Sequence, residues 1–369
     1  MPRVGFIIYK LGVGGAERMI INLANKLSKS GYTIDFVLGN SGGGFEDKIK
    51  DSVNVFKLNS MPIPGYRSLG MFPGLRSYIQ EKRPTTLISA MTQTNAVTVL
   101  SVAFSDTTVK CISTVHNTFS EIKRPLHKPH SLGLHLLGEF AYSMSDEVVC
   151  CSHGVENDLR QQLHTRLSNC GTIYNPIFTE ELVRQSREEV EDNWFIDEKT
   201  IVITGLSNLK PQKDYETFLK SFEKIRSNID DEVKAKIMGD GKERQKLIEL
   251  SKSLGHSGDI EFSGYVENPF KYIRASDCFV LTSKFEGLSN VLIEAMACET
   301  PIVSSDCPNG PREILDNGKF GKLVPVGKPD PVADAVVETV QSQSTPDFMG
   351  RAKDFSLESI CSKYEKLIV

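Results

Sequence analysis

Short apolar runs alternate with amphipathic stretches along nearly the whole chain. VGFIIY precedes ERMIINLANKL; TIDFVL, TTLISAM and KCISTVH follow; then EVVCCS leads into HGVENDLRQQL. Within ERMIINLANKL, Met19, Ile20, Leu23, Ala24 and Leu27 recur at the i, i+3 and i+4 positions that form one face of a helix. Apolar runs of strand length, rich in β-branched residues and separated by helices, predict parallel strands covered on both faces. The first half therefore predicts an open, doubly wound α/β sheet. After TIYNPI at 172–177 comes a charged, mostly helical connector containing EEVEDN. The alternation then restarts with TIVITGL, VKAKIMG, DIEFSGY, CFVLTS and PIVSSD. A second doubly wound domain is expected, with the boundary near residues 176–198.

Composition agrees with two domains, because 369 residues exceed what one hydrophobic core usually holds. With 40% apolar and 24% charged residues, the chain has the balance of an ordinary globular protein, and its net charge of -4 argues against a dedicated nucleic-acid binder. Basic side chains outnumber acidic ones in the first 175 residues, the remainder is net acidic, and six of the seven histidines also lie in the first part. That half either meets an anionic partner or carries scattered solvated charge. The eight cysteines show no CxxC spacing, which fits reduced thiols in the cytoplasm. The chain opens on a strand pattern without the features of a leader, and no run reaches about 18 apolar residues. A membrane span is not expected; peripheral attachment stays open.

Three places offer chemistry. GVGGAER puts Gly12, Gly14 and Gly15 between a strand and a helix, where bare backbone approaches a phosphate closely or simply makes a tight turn. Lys213, in the loop after TIVITGL, is either a phosphate-pairing cation or a solvated lysine. In EGLSNVLIEAMA, Glu286 falls in the loop at the carboxyl end of a strand and Glu294 about a turn into the following helix. Such positions border the crevice where open α/β sheets bind ligands. An ionised carboxylate there suits sugar or ribose hydroxyls, and the amides around Leu288, Ser289 and Asn290 suit a diphosphate. Surface charge or a partner for the helix dipole is the plainer reading of each glutamate. No two aspartates are separated by a single position, and no His/Cys cluster has zinc spacing, so a metal is not expected.

Taken in order, GGAER (14–18), STVHN (113–117), IYNP (173–176), LKPQKD (209–214), GDG (239–241), FSGYVENP (262–269) and EGLSNVLIEAMA (286–297) resemble the retaining family-four glycosyltransferases. CPNGPREIL (307–315) brings the resemblance nearest to enzymes that build bacterial lipopolysaccharide, O-antigen or related surface glycans. The resemblance implies the GT-B fold, two Rossmann-like domains facing across a cleft. Residues 1–175 with a returning 352–369 would form the acceptor domain, and 176–351 the nucleotide-sugar domain. FSLESICSKYEKLI (355–368) would be the terminal helix of that return.

By the same resemblance Glu286, Lys213 and His116 serve catalysis. Glu286 meets the donor sugar and Glu294 the ribose, with Gly287 also in the donor-binding set. Lys213 and the Leu288–Ser289–Asn290 amides take the diphosphate, Gly14 and Gly15 close over it, and Tyr265 and Val266 flank the base. His116 would hydrogen-bond a sugar hydroxyl. The donor implied is a UDP-sugar, with no cofactor or metal, and the acceptor a glycan or lipid-linked saccharide. One departure is SNL at 207–209: Asn208 stands where relatives carry a phosphate-binding arginine, leaving Lys213 as the main cation, assisted by Arg312.

Residues 118–137, TFSEIKRPLHKPHSLGLHLL, place Lys123, Arg124 and Lys128 near His116 and Asn117. This stretch is either a basic amphipathic face for an anionic membrane surface or an irregular solvated loop. Two rivals to a transferase are a nucleotide-sugar epimerase of the same architecture and a non-catalytic sugar-nucleotide binder.

Overall fold

The computed structural model describes the chain except Val13, Pro62, 123–128, Gln343, Ser344 and Val369, and the side chains of Ile122, Pro129 and His130. Lys123, Arg124 and Lys128 therefore lie outside the described residues. The chain divides into two compact units, Met1–Pro176 with Leu357–Val369, and Ile177–Ser356.

The first unit contains a parallel sheet of seven strands among the described residues: β1 (Arg3–Ile8), β2 (Thr33–Leu38), β3 (Asn54–Lys57), β4 (Thr86–Ala90), β5 (Lys110–Val115), β6 (Glu147–Cys150) and β7 (Cys170–Thr172). Their spatial order is β3-β2-β1-β4-β5-β6-β7. Alternate residues of one strand go to opposite faces. Phe6 and Ile8 pack under the helix Gly15–Leu27, through Ile20, Leu23 and Leu27. Ile7 packs with Leu75, Ile79 and Val97 on the other side. Double coverage explains why the central strands read as unbroken apolar runs. The helix Leu357–Ile368 inserts Ile360 and Tyr364 into the first of these cores, and Lys26 pairs with Glu358 at 2.9 Å.

The second unit contains β8 (Thr200–Leu206), β9 (Glu232–Met238), β10 (Ile260–Gly264), β11 (Cys278–Leu281), β12 (Ile302–Ser305) and β13 (Lys322–Val324), ordered β10-β9-β8-β11-β12-β13 with parallel pairings. Phe218 and Phe222 from Tyr215–Ser227 and Val332 and Val336 from Pro329–Gln341 cover Ile203, Val233, Ala235 and Val280.

Each sheet reverses its winding once, between β1 and β4 and between β8 and β11. At such a reversal the loops leaving two neighbouring strands diverge to opposite faces and leave a crevice at the strands' carboxyl ends. Both sets of loops are therefore the places to look for chemistry.

Candidate functional site

In the second unit the loops after β8 and β11 are tied together by main-chain bonds. Lys284 N–H donates to the Gln212 carbonyl at 2.8 Å, and the Gln212 side-chain amide donates to the Phe285 carbonyl at 2.7 Å. Thr282 Oγ1 donates to the Lys213 carbonyl at 3.0 Å. A third loop, after β12, joins them: Glu286 N–H bonds the Pro308 carbonyl at 3.1 Å, and Ser305 Oγ donates to the Ser283 carbonyl at 2.6 Å.

These ties bring together two side chains 73 positions apart. Lys213 Nζ lies 2.6 Å from Glu286 Oε1, and Ser283 Oγ donates to the same oxygen at 2.5 Å. The lysine side chain is 16% exposed and the glutamate 7%, so the pair is largely withdrawn from water and its Coulomb attraction is weakly screened. Burial first, and the Glu286 charge second, push the Cys307 thiol up to about 12 and keep it neutral beside the pair. Ser283 and Gln212 were not singled out in sequence. A serine closing LTS and a glutamine inside KPQKD carry no signal until the β8–β11 adjacency is known.

The helix Asn290–Ala297 begins at Ser289, which sits in the left-handed region (φ 66°, ψ 59°) and gives no side-chain cap. Its hydroxyl is buried and lacks a hydrogen-bond partner among the described residues. A buried, unsatisfied hydroxyl at an uncapped helix start is costly unless a ligand completes it. Gly310 (φ 92°) lets the CPNGPREIL corner reach this place, since a Cβ there would lie 2.5 Å from the Leu288 carbonyl oxygen. Glu294, within the helix, is 3% exposed. Across the crevice floor, Gly239 of GDG takes φ 119° against the Ser207 carbonyl, which any Cβ would strike. Asn208 is exposed, Tyr265 is 67% exposed beyond β10, and Val266 is half-buried. Arg312 is engaged with Asp306 through Nε at 3.0 Å and through a second, shorter bond. Its expected help to Lys213 would require breaking that bidentate pair. The other nearby cation, Lys284, pairs with Asp214 at 3.2 Å.

In the first unit, Gly14 caps and Gly15 starts the helix Gly15–Leu27. The Glu17 carboxylate folds back over this turn, 2.5 Å from where a Gly14 Cβ would stand. His116 follows β5, with Nε2 2.8 Å from Thr114 Oγ1. Burial lowers its pKa from 6.5 to about 4, against the opposing hydrogen bond with Asn175. The imidazole is consequently neutral at physiological pH, with one ring nitrogen a donor and the other an acceptor. Asn117 beside it is exposed. The glycine turn and His116 thus belong to one unit, and Lys213, Glu286, Ser289 and Glu294 converge in the other. Among the described residues no group of three His, Cys, Asp or Glu side chains is arranged to hold a metal.

Comparison with known proteins bears on both units. The Glycosyltransferase Family 4 model matches residues 13–181, and the Glycosyl transferases group 1 model matches 186–354. A Campylobacter jejuni N-acetylgalactosamine-N,N'-diacetylbacillosaminyl-diphospho-undecaprenol 4-alpha-N-acetylgalactosaminyltransferase is 26% identical over 339 residues, covering 88% of this chain and 87% of its own. A second C. jejuni enzyme, GalNAc-alpha-(1->4)-GalNAc-alpha-(1->3)-diNAcBac-PP-undecaprenol alpha-1,4-N-acetyl-D-galactosaminyltransferase, is also 26% identical, covering 100% of this chain and 98% of its own. Among solved structures, Anabaena HepE in complex with UDP and glucose superposes with a TM-score of 0.79 at 18% identity, over 100% of this chain and 99% of that one. With two parallel doubly wound sheets, and with two family models that between them span nearly its whole length, the chain belongs to the family-four glycosyltransferases of the GT-B fold.

Proposed function

We propose that the protein transfers a hexose or N-acetylhexosamine from a UDP-sugar to a saccharide or lipid-linked saccharide in the synthesis of a bacterial surface glycan, with retention of anomeric configuration and without a metal. The observation that carries this reading is the crevice between the β8 and β11 loops, where one partly buried cation, one buried carboxylate and an uncapped helix start with an unsatisfied hydroxyl converge. A nucleoside diphosphate sugar matches those groups in chemistry, with anionic oxygens for Lys213 and the helix start, and hydroxyls for Glu286 and Glu294. The diphospho-undecaprenol acceptors named for both Campylobacter relatives support a lipid-linked acceptor. The UDP in the HepE complex supports the nucleotide. Family membership favours transfer over epimerisation or simple binding.

In this reading the acceptor hydroxyl approaches the anomeric carbon on the face from which UDP departs. The new C–O bond forms as the bond to the β-phosphate oxygen breaks, and that oxygen takes the hydroxyl proton. Lys213 and the helix start offset the growing negative charge. Glu286 positions the sugar and never becomes a nucleophile. Glu286→Ala should lower turnover by orders of magnitude; a loss of only a few fold with an unchanged donor KM removes it from this role.

We further place the enzyme at the inner face of the cytoplasmic membrane, held peripherally. Among the described residues no helix is long and apolar enough to cross a membrane. The helix Pro129–Met144, however, exposes Leu132 (57%), Leu136 (57%), Phe140 (38%) and Met144 (51%), four residues spaced by four, hence one stripe. The chain immediately before it is basic in sequence, which complements an anionic lipid surface. Co-sedimentation with anionic vesicles that exceeds that with neutral ones, and that falls in Leu136→Asp/Phe140→Asp, is expected. Equal sedimentation with both vesicle types contradicts the electrostatic part.

A further inference from the structure

The first unit has its own crevice at a winding reversal, and the donor does not account for it. A cavity of about 570 Å³ opens where β1 and β4 end, lined by Tyr9 and Lys10 after β1 and by Met91, Thr92 and Gln93 after β4, with Arg67 and Ser68 beside them. Met91 holds φ 78° and is 40% exposed. A long, unbranched side chain kept in the left-handed region is strained, and such strain collects where a loop must present itself to a ligand.

The polar lining is built and then left incomplete. Gln93 clamps the chain on both sides of Arg67, accepting from Ser68 N–H at 3.3 Å and donating to the Gly65 carbonyl at 3.1 Å. Thr94 Oγ1 adds a 3.3 Å bond to Ser68 Oγ. The backbone that carries Arg67 is thus fixed, yet neither its guanidinium nor the Lys10 ammonium has an acidic or carbonyl partner among the described residues. The remaining charge on the lining, Glu17, is folded over Gly12 and Gly14.

We propose that Arg67 and Lys10 clamp an anionic group of the acceptor, a phosphate or a carboxylate, in this cavity. The inference rests on the transferase reading and extends it: the acceptor is not a neutral saccharide at this end. A forked guanidinium on a fixed backbone suits two oxygens of one anion, and an ammonium on the same lining adds a point charge. Two sources supply that chemistry, the diphosphate of a lipid-linked saccharide and the carboxylate of an acidic sugar.

The test uses the full chain saturated with UDP, so that the nucleotide site is filled. Binding of farnesyl diphosphate, farnesol, benzyl glucuronide and benzyl glucoside is measured by calorimetry for wild type, Arg67→Gln and Lys10→Gln. At least one anionic probe should bind more tightly than its neutral counterpart, and its affinity should fall by about tenfold or more in Arg67→Gln, as expected for losing a charge-assisted contact. The diphosphate alone responding assigns the lipid-linked source; the glucuronide alone responding assigns an acidic sugar. Anionic probes that bind no better than neutral ones, or that bind both variants within twofold of wild type, overturn the clamp. The thermal shift given by UDP should be the same in all three proteins. If UDP gives none, the donor reading fails by itself, while the probe affinities, which need no donor, still decide the clamp.

Discussion

Replacing Lys213 by methionine removes the cation from a buried pair while keeping most of its volume. Glu286, 7% exposed, then keeps its Ser283 bond but loses the charge 2.6 Å away. Breaking a buried pair from one side costs about 3–5 kcal/mol, and the lower end applies here because the lysine retains 16% exposure. For a unit of 180 residues, counted from Ile177 to Ser356, about 3 kcal/mol corresponds to a Tm lower by about 6–12 °C. Glu286→Gln keeps the shape and leaves a lysine that reaches water more easily, so its cost should be about 1–2 kcal/mol. The double variant should be more stable than Lys213→Met alone, with a coupling of about 1–3 kcal/mol. Calorimetry of the four proteins measures this cycle. The same four titrated with UDP should show a tenfold or larger loss of affinity, about 1.5–3 kcal/mol, only where Lys213 is gone. A Lys213→Met protein melting within 1 °C of wild type, with additive effects in the double variant, would refute a buried, coupled pair.

Other outcomes follow from single residues. The His116 pKa falls from 6.5 to about 4 on folding, so the unfolded chain binds its proton first. Its contribution to stability is complete above pH 6.5 and is lost as pH drops towards 4, by at most about 3 kcal/mol. His116→Gln should flatten that part of a Tm–pH profile; an unchanged slope argues against a buried neutral imidazole. Gly239→Ala must strain a φ of 119° and strike the Ser207 carbonyl, so a loss of about 2 kcal/mol or more is expected in denaturant unfolding. Ser289→Ala removes an unsatisfied buried hydroxyl, so it should leave the free protein as stable or more stable while weakening UDP binding.

The central strands were legible in sequence because they are buried on both faces: β1, β2, β4, β5 and β6 each correspond to an apolar run. Three edge strands were not. Asn54–Lys57, Cys170–Thr172 and Lys322–Val324 lie at the margins of their sheets, are three or four residues long and are partly exposed, so little burial pressure shapes their composition. Within 118–137, Phe119–Ile122 and the residues from Pro129 onward are helical, and its lysines and arginine lie outside the described residues. For the site, loop-then-helix placement was readable for Glu286 and Glu294. The Lys213–Glu286 pair was not, because it depends on β8 lying beside β11, a long-range pairing that local pattern does not encode. Sequence assigned the two residues to different parts of a donor. The structure pairs them with each other.

The proposed reaction is retaining transfer from a UDP-sugar at the β8–β11 crevice. Its most direct test is incubation of the purified chain with α-linked UDP-sugars and a polyprenyl-diphosphate saccharide, reading UDP release and the anomeric proton coupling of the product. Release of UDP that depends on the acceptor, with an α-linked product, and its loss in Lys213→Met and Glu286→Ala, is the predicted result. A β-linked product, or release that proceeds equally in those two variants, would contradict it.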